Sequence, residues 1–471
     1  MAQTAVEQMP AEPWHDAMST VMGLCLLGTM PALCLAAELT ATAAYLACGC
    51  LVAATTLFWR TSRRFFLQLS LVGVFGLGAA AHAFVGFLLA RPTTGAIWAS
   101  SRVFDYYPKA FLVVSAGLLA VAIGYRCALN RRWDAVEARC ARLSVDESKL
   151  RAWAQALTVS GALLIILVYY RLGYIPLLTS SPALSRYLTA DVSANYQLDE
   201  WIVNRGMDLL TLSLPLLLAW SIEKPSLRII VLTACGGVAL LLPLRRANLI
   251  SIVVAVVIME FLRSGRLKKR YLAGIVLVLL LYGMSQLIFA DIFNREFDAS
   301  EAVTAVGSSL AEVRDLGWMM SLTNDTWYGV TFLQAALPIP SVVSDFSREH
   351  SLRHITTRAI GLDDDGQTGG LRLTLAGESY FNFGYLGVVS VGFLFGILCA
   401  LVDIVINVLR RRQGTAGRYV SALLFTWFCF WLYLAGTQAG ATIKIGLVLA
   451  AGILYLSRGR TVSALRTSTA T

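Results

Sequence analysis

The chain has 471 residues, 57% of them hydrophobic and 14% charged, with a mean hydropathy of +0.66. That balance lies well outside the range of a water-soluble domain and excludes a globular enzyme with a polar surface. The net charge of +10 needs no nucleic acid to explain it, because basic loops beside anionic lipid headgroups account for it.

Apolar runs long enough to cross a hydrocarbon layer roughly 30 Å thick recur along nearly the whole chain. Backbone amides find no water there, so these runs must be helices. The pattern predicts spans over 19–37, 40–59, 65–90, 109–129, 151–170, 206–222, 227–244, 247–262, 271–290, 384–409, 419–435 and 441–457. The expected fold is therefore an all-α polytopic membrane protein of about twelve transmembrane helices. Tails cover 1–18 and 458–471, helices 1 to 9 fill 19–290, a long loop covers 291–383, and helices 10 to 12 fill 384–457. Glu7, Glu12, His15 and Asp16 precede the first run where a secretory leader would be basic, so no removable signal is expected.

With a cytoplasmic N-terminus, the inside segments collect Arg60, Arg63 and Arg64, then Arg131, Arg132, Arg139, Arg142, Lys149 and Arg151. They go on to collect Arg263, Arg266, Lys268, Lys269 and Arg270, and finally Arg410, Arg411, Arg412, Arg418, Arg458 and Arg460. The positive-inside rule thus predicts both termini in the cytoplasm and the loop 291–383 outside. The nine cysteines fall in predicted helices or on the cytoplasmic side, which implies no disulfide framework. His15, His82, His350 and His354 show no metal-ligand spacing, so no metal site is expected.

The outward segments depart from a plain membrane protein at several points in chain order. Pro243-Leu244-Arg245-Arg246-Ala247-Asn248 puts two arginines in a short turn between apolar runs. Such a pair either snorkels to headgroups or lines a wet cavity, where two planar guanidinium forks suit a pyrophosphate. Loop 291–383 is too long to be a plain connection and is expected to fold as short helices lying on the membrane. It carries Glu312-Val313-Arg314-Asp315-Leu316-Gly317, Tyr328-Gly329 and Pro338-Ile339-Pro340, then Arg353, His354 and Arg358. The motif at 312–317 reads equally as an amphipathic surface helix with a local ion pair. Leu375 to Gly387 leads into an apolar helix, and an interfacial aromatic belt explains Tyr380, Phe381 and Phe383 but not Glu378 or Asn382.

This order of features, and the motifs at Glu312 to Gly317, Tyr328-Gly329, Pro338 and Gly377 to Gly387, resembles the Wzy-type polymerases of lipid-linked oligosaccharide repeat units. Arg358 and Gly369 match the family's outward Arg-x10-Gly spacing, while the loop 171–205 lacks the second copy that the family carries. The resemblance implies a metal-independent glycosyltransferase without cofactor, multi-pass in the inner membrane of a bacterium. Donor and acceptor would both be linked to undecaprenyl pyrophosphate, with membrane lipids, a chain-length regulator and a flippase as further partners. The departing pyrophosphate then needs fixed cations, for which Arg245, Arg246, Arg314, Arg353 and Arg358 are candidates, with Asn248 and Tyr380 as further substrate contacts. The attacking hydroxyl needs a base, for which Glu378, His354, Asp315 and Glu312 are candidates. Glu378 is preferred, because partial desolvation at a membrane edge strengthens its hold on a proton. An O-antigen ligase shares the donor, and a transporter or flippase of lipid-linked oligosaccharide shares the layout. Against the latter, the sequence shows no repeated halves and no matching pair of interrupted helices.

Overall fold

A computed structural model describes residues 103–129, 147–176, 196–243, 246–264, 312–337, 344–361, 373–412 and 414–426, with Ala138 and Leu371. Every extended element among them is a helix. In chain order they are α1 (Val103–Leu129), α2 (Glu147–Leu172), α3 (Tyr196–Glu223), α4 (Leu227–Leu241), α5 (Arg246–Ser264) and α6 (Glu312–Leu322). Then follow α7 (Val330–Ala336), α8 (Asp345–Glu349), α9 (Leu352–Ala359), α10 (Thr374–Arg412) and α11 (Gly414–Thr426).

Among the described residues, four stretches are long and apolar enough to cross a membrane: Asp105–Ala128, Glu147–Leu172, Leu198–Glu223 and Thr374–Leu409. Leu227–Leu241 and Ser251–Glu260 are shorter apolar helices. Leu163, Leu167 and Leu394 are exposed along these spans, a surface that lipid rather than water would cover. The predicted spans at 109–129, 151–170, 227–244 and 247–262 fall on α1, α2, α4 and α5, and part of 419–435 falls on α11. Those at 19–37, 40–59, 65–90, 271–290 and 441–457 lie outside the described residues.

Helix α1 is the hub, buried nearly all round from Ala110 to Tyr125, as its unbroken apolar character requires. It packs against α10 and α6. Small residues let its backbone meet α10: a Cβ on Gly124 would overlap the Phe393 carbonyl, and one on Gly396 would overlap that of Val121. Helices α2 and α3 cross in the same way at Gly161 and Gly206. At one end of the bundle Glu223 accepts from Arg418 at 3.0 Å and from Thr415 at 2.8 Å, Arg263 pairs with Glu260 at 2.7 Å, and Trp220 donates to Glu147 at 3.0 Å.

Three differences from the sequence reading matter. Helix α3 starts at Tyr196, ten residues before the predicted 206. Its first turns carry Asp199, Glu200, Arg205 and Asp208, which depress hydropathy but are paired, Asp199 with Arg171 and Asp208 with Arg205. Helix α6, expected on a membrane surface, is instead core, with Val313 and Asp315 to Met320 buried. Finally, α10 is broken at Gly384, which has φ 65° and ψ −156°.

That break is a reversal. Eight residues of unbroken helix span about 12 Å, yet a Cβ on Gly387 would lie 2.5 Å from the Ser379 carbonyl oxygen. Before the break, Ala376 faces Gly117 and Lys109 lies over the Tyr380 ring. After it, Val388 and Gly392 face Gly117, and Gly396 faces Val121. Residues 374–383 therefore run back toward the N-terminal end of α1, and 385–412 run parallel to it. Gly117 lies twelve residues, roughly 18 Å, along α1 from Asp105. The arm 374–383 thus begins deep in the bundle and climbs out before the long helix descends.

Candidate functional site

The arm is held by strain at both ends. Thr374, a β-branched residue, sits at φ 54°, and the Gly384 conformation is essentially restricted to glycine. Opposite the arm, Tyr328 at φ 49° and Gly329 at φ 82° make a second tight turn. A Cβ on Gly329 would lie 2.8 Å from the Phe383 ring, so the turn needs glycine on both conformational and steric grounds. The two segments are sewn together. Trp327 N–H donates to the Phe381 carbonyl at 2.8 Å, and their rings stack at 4.8 Å. Phe332 and Phe383 stack at 6.0 Å.

Within the arm, Glu378, Ser379 and Asn382 are all sealed from solvent. Asn382 Nδ2 donates to Thr331 Oγ1 and to the Glu378 carbonyl, both at 2.8 Å, while Ser379 Oγ donates to the Leu375 carbonyl at 2.6 Å. Asn382, which an aromatic belt leaves unexplained, is therefore the tie between the arm and α7. Its Oδ1 is buried with no hydrogen-bond donor among the described residues. Burying polar groups in this way costs free energy that ordinary packing does not require, and strain and buried polarity together mark functional segments.

Helix α6 lies against the arm, with Gly377 packed on the Leu316 side chain. Asp315 is buried next to that contact, and Arg314 donates to its Oδ1 through Nη2 at 2.8 Å and Nε at 3.0 Å. Both side chains also act electrostatically on Tyr107 of α1. The structure thus gathers Glu378, Arg314, Asp315 and Tyr380 around the junction of α1, α6 and the arm.

The other candidates sit around this junction. Helix α9 is capped by Ser351, whose Oγ accepts from the His354 N–H at 3.2 Å, and Leu352 is buried in the common core. Thr356 Oγ1 accepts from the Leu371 N–H at 3.1 Å, tying α9 to the entrance of the arm. Arg353 reaches across to Glu200 of α3 at 3.7 Å, His354 is half-buried and Arg358 is exposed. Asn248 is buried and donates to Thr211 Oγ1 of α3 at 3.0 Å, so its amide holds α5 against α3. Arg245 and the side chains of Arg246 and Glu312 lie outside the described residues, as do Pro338 to Pro340 and Gly369; the backbone of Arg246 opens α5. Among the described residues, no three His, Cys, Asp or Glu side chains converge as a metal site requires.

One feature escaped the sequence reading. A cavity of about 90 Å³ opens at the Gly384 turn, lined by Lys109, Thr323, Asn324, Asp325, Thr326 and Tyr380. Lys109 stands 5.5 Å from the Tyr380 ring centre. A lysine at the head of an apolar run reads from sequence as a snorkelling anchor, and nothing in the spacing links it to residues over two hundred positions away. No family model, curated protein or solved structure matches this chain.

Proposed function

We propose that this chain polymerises lipid-linked oligosaccharide repeat units on the outer face of a bacterial plasma membrane. The observation that carries the reading is Glu378, a carboxyl group sealed in a strained re-entrant arm that packs through Gly377 on helix α6, which carries the Arg314–Asp315 pair. A buried ionisable group in a membrane helix is costly and marks function by default. In this reaction an acceptor hydroxyl oxygen bonds to the anomeric carbon of the donor glycan. The bond from that carbon to the pyrophosphate oxygen breaks, the hydroxyl proton passes to Glu378, and the pyrophosphate leaves with the electron pair. Arg314, with Arg245, Arg246 and Arg358, supplies the positive charge that the leaving group needs. Because Glu378 is sealed here, the packing around the arm must open to admit substrate, a gating step of the kind that loops over active sites perform.

The test is genetic and chemical together. Deletion of the gene should leave single repeat units on the surface glycan and no long chains. Glu378→Gln, nearly the same size, should restore a folded protein but lower polymerisation by about 10²–10⁴, the range for a lost general base. Full-length glycan from the Glu378→Gln strain would remove Glu378 from the chemistry.

The broken helix α10 favours a second reading as a transporter of lipid-linked oligosaccharide, because interrupted helices are a transporter device. A transporter deletion would strand the lipid-linked units on the inner leaflet and leave the surface without even single units. A ligase deletion would also strip single units, but the chains would accumulate on the outer leaflet.

A further inference from the structure

We infer that the cavity at the Gly384 turn is a subsite for one sugar ring of the glycan, a deepening that rests on the polymerase reading. Its lining combines opposite charges with neutral hydrogen-bonding groups: the Lys109 ammonium, the Asp325 carboxylate, the hydroxyls of Thr323 and Thr326 and the Asn324 amide. An anion would meet Asp325 and a cation would meet Lys109, so neither isolated charge suits it. A neutral ligand rich in hydroxyls suits it on every side, since each hydroxyl both donates and accepts. Tyr380 supplies the aromatic wall against which the C–H face of a ring packs.

Size and place agree with this assignment. A volume of about 90 Å³ holds several waters, which is room for one ring and not for an oligosaccharide. The segment 323–326 is pre-shaped, because the Asp325 N–H donates to Thr323 Oγ1 at 3.0 Å. Tyr380 follows Glu378 by two residues, about 3 Å along the arm. A ring seated there lies at the outer end of the arm that carries Glu378, and Gly384 lines both the cavity and the break that positions the arm.

The probe is the repeat-unit oligosaccharide released by mild acid from the host's own lipid-linked pool. It is titrated against the full chain in detergent with tryptophan fluorescence as readout, since Trp327 stacks on Phe381 in the cavity wall. Saturable binding is expected, weakened about tenfold by Asp325→Ala and by Lys109→Met and partly kept by Asp325→Asn. Inorganic pyrophosphate should not compete. Asp325 is exposed, so Asp325→Ala should fold, which its elution profile checks. Wild-type binding in both Asp325→Ala and Lys109→Met, or displacement by pyrophosphate, would overturn the subsite. If these variants bind normally while Glu378→Gln still loses long chains, the subsite fails and the polymerase reading stands. If binding is lost in them but gene deletion leaves the long chains intact, a sugar site stands and the polymerase reading fails.

Discussion

Gly384 turns a would-be straight helix into a site. With φ 65° and ψ −156° it occupies a region essentially closed to residues with a Cβ, although nothing among the described residues lies within 4 Å of the position a Cβ would take. The demand is thus conformational and not steric, and it can be tested cleanly. Gly384→Ala should lower stability by about 1–3 kcal/mol and straighten the arm, shortening surface glycan chains, as read by thermal unfolding in detergent and by gel profile. Gly237→Ala is the matched control, because Gly237 is helical with open space around it and alanine there removes only unfolded-state freedom. Equal melting temperatures for the two variants would mean that the break is not needed. The arm that carries Glu378 is held by this turn, by Thr374 at its start and by the Asn382 bond to Thr331. The sequence marked Glu378 and Asn382 as out of place in an aromatic belt. It could not show that they are sealed, because burial here depends on α6 and α7, some fifty residues earlier in the chain.

At the scale of elements, what was legible and what was not divides along hydropathy. Helices α1, α2, α4 and α5 were legible because their apolar runs end in polar or basic residues. The start of α3 was not, because Asp199, Glu200 and Arg205 read as loop until the pairings of Asp199 with Arg171 and of Arg205 with Asp208 are known. The predicted start of a span at 384 marks a real boundary, yet most of the ten residues before it are helical and buried against α1, α6 and α7. Helix α6 was misread for a related reason: its Glu-x-Arg-Asp start looks amphipathic, while the Arg314–Asp315 pair lets it bury. The contact that fixes this arrangement is α1 on α10. Since a Cβ on Gly396 would overlap the Val121 carbonyl and lie 2.7 Å from the Tyr125 nitrogen, backbone must move to admit even alanine. Gly396→Ala should therefore cost about 1–3 kcal/mol, the range for overpacking, and lower the yield of folded protein. Leu394→Ala, two residues away on the exposed face, should leave both unchanged because lipid covers that face. A Gly396→Ala protein as stable as wild type would show that these helices do not meet as described.

For the whole molecule, the decisive quantity is which side of the membrane the arm faces. The bundle has two chemically different ends. At one end Glu223, Glu260, Arg263 and Arg418 form a paired cluster; in sequence, α5 is followed by Lys268, Lys269 and Arg270, and α10 ends on Arg410 to Arg412. At the other end lie the arm, the cavity and helices α6 to α9. Basic loops are retained in the cytoplasm, so the arm should face outward, where lipid-linked glycan is assembled on the proposed reading. Reporter fusions at Arg139, Lys268 and Arg411 should be active only as cytoplasmic reporters, and fusions at Asp191, Asp325 and Asp364 only as external ones. The positions alternate between the expected inside and outside segments along the sequence, so a single inverted helix would reverse all later signals. An external signal at Lys268 with a cytoplasmic one at Asp325 would turn the arm inward. It would then open on the leaflet where lipid-linked units are made and not where they are joined, and the polymerase reading would fall.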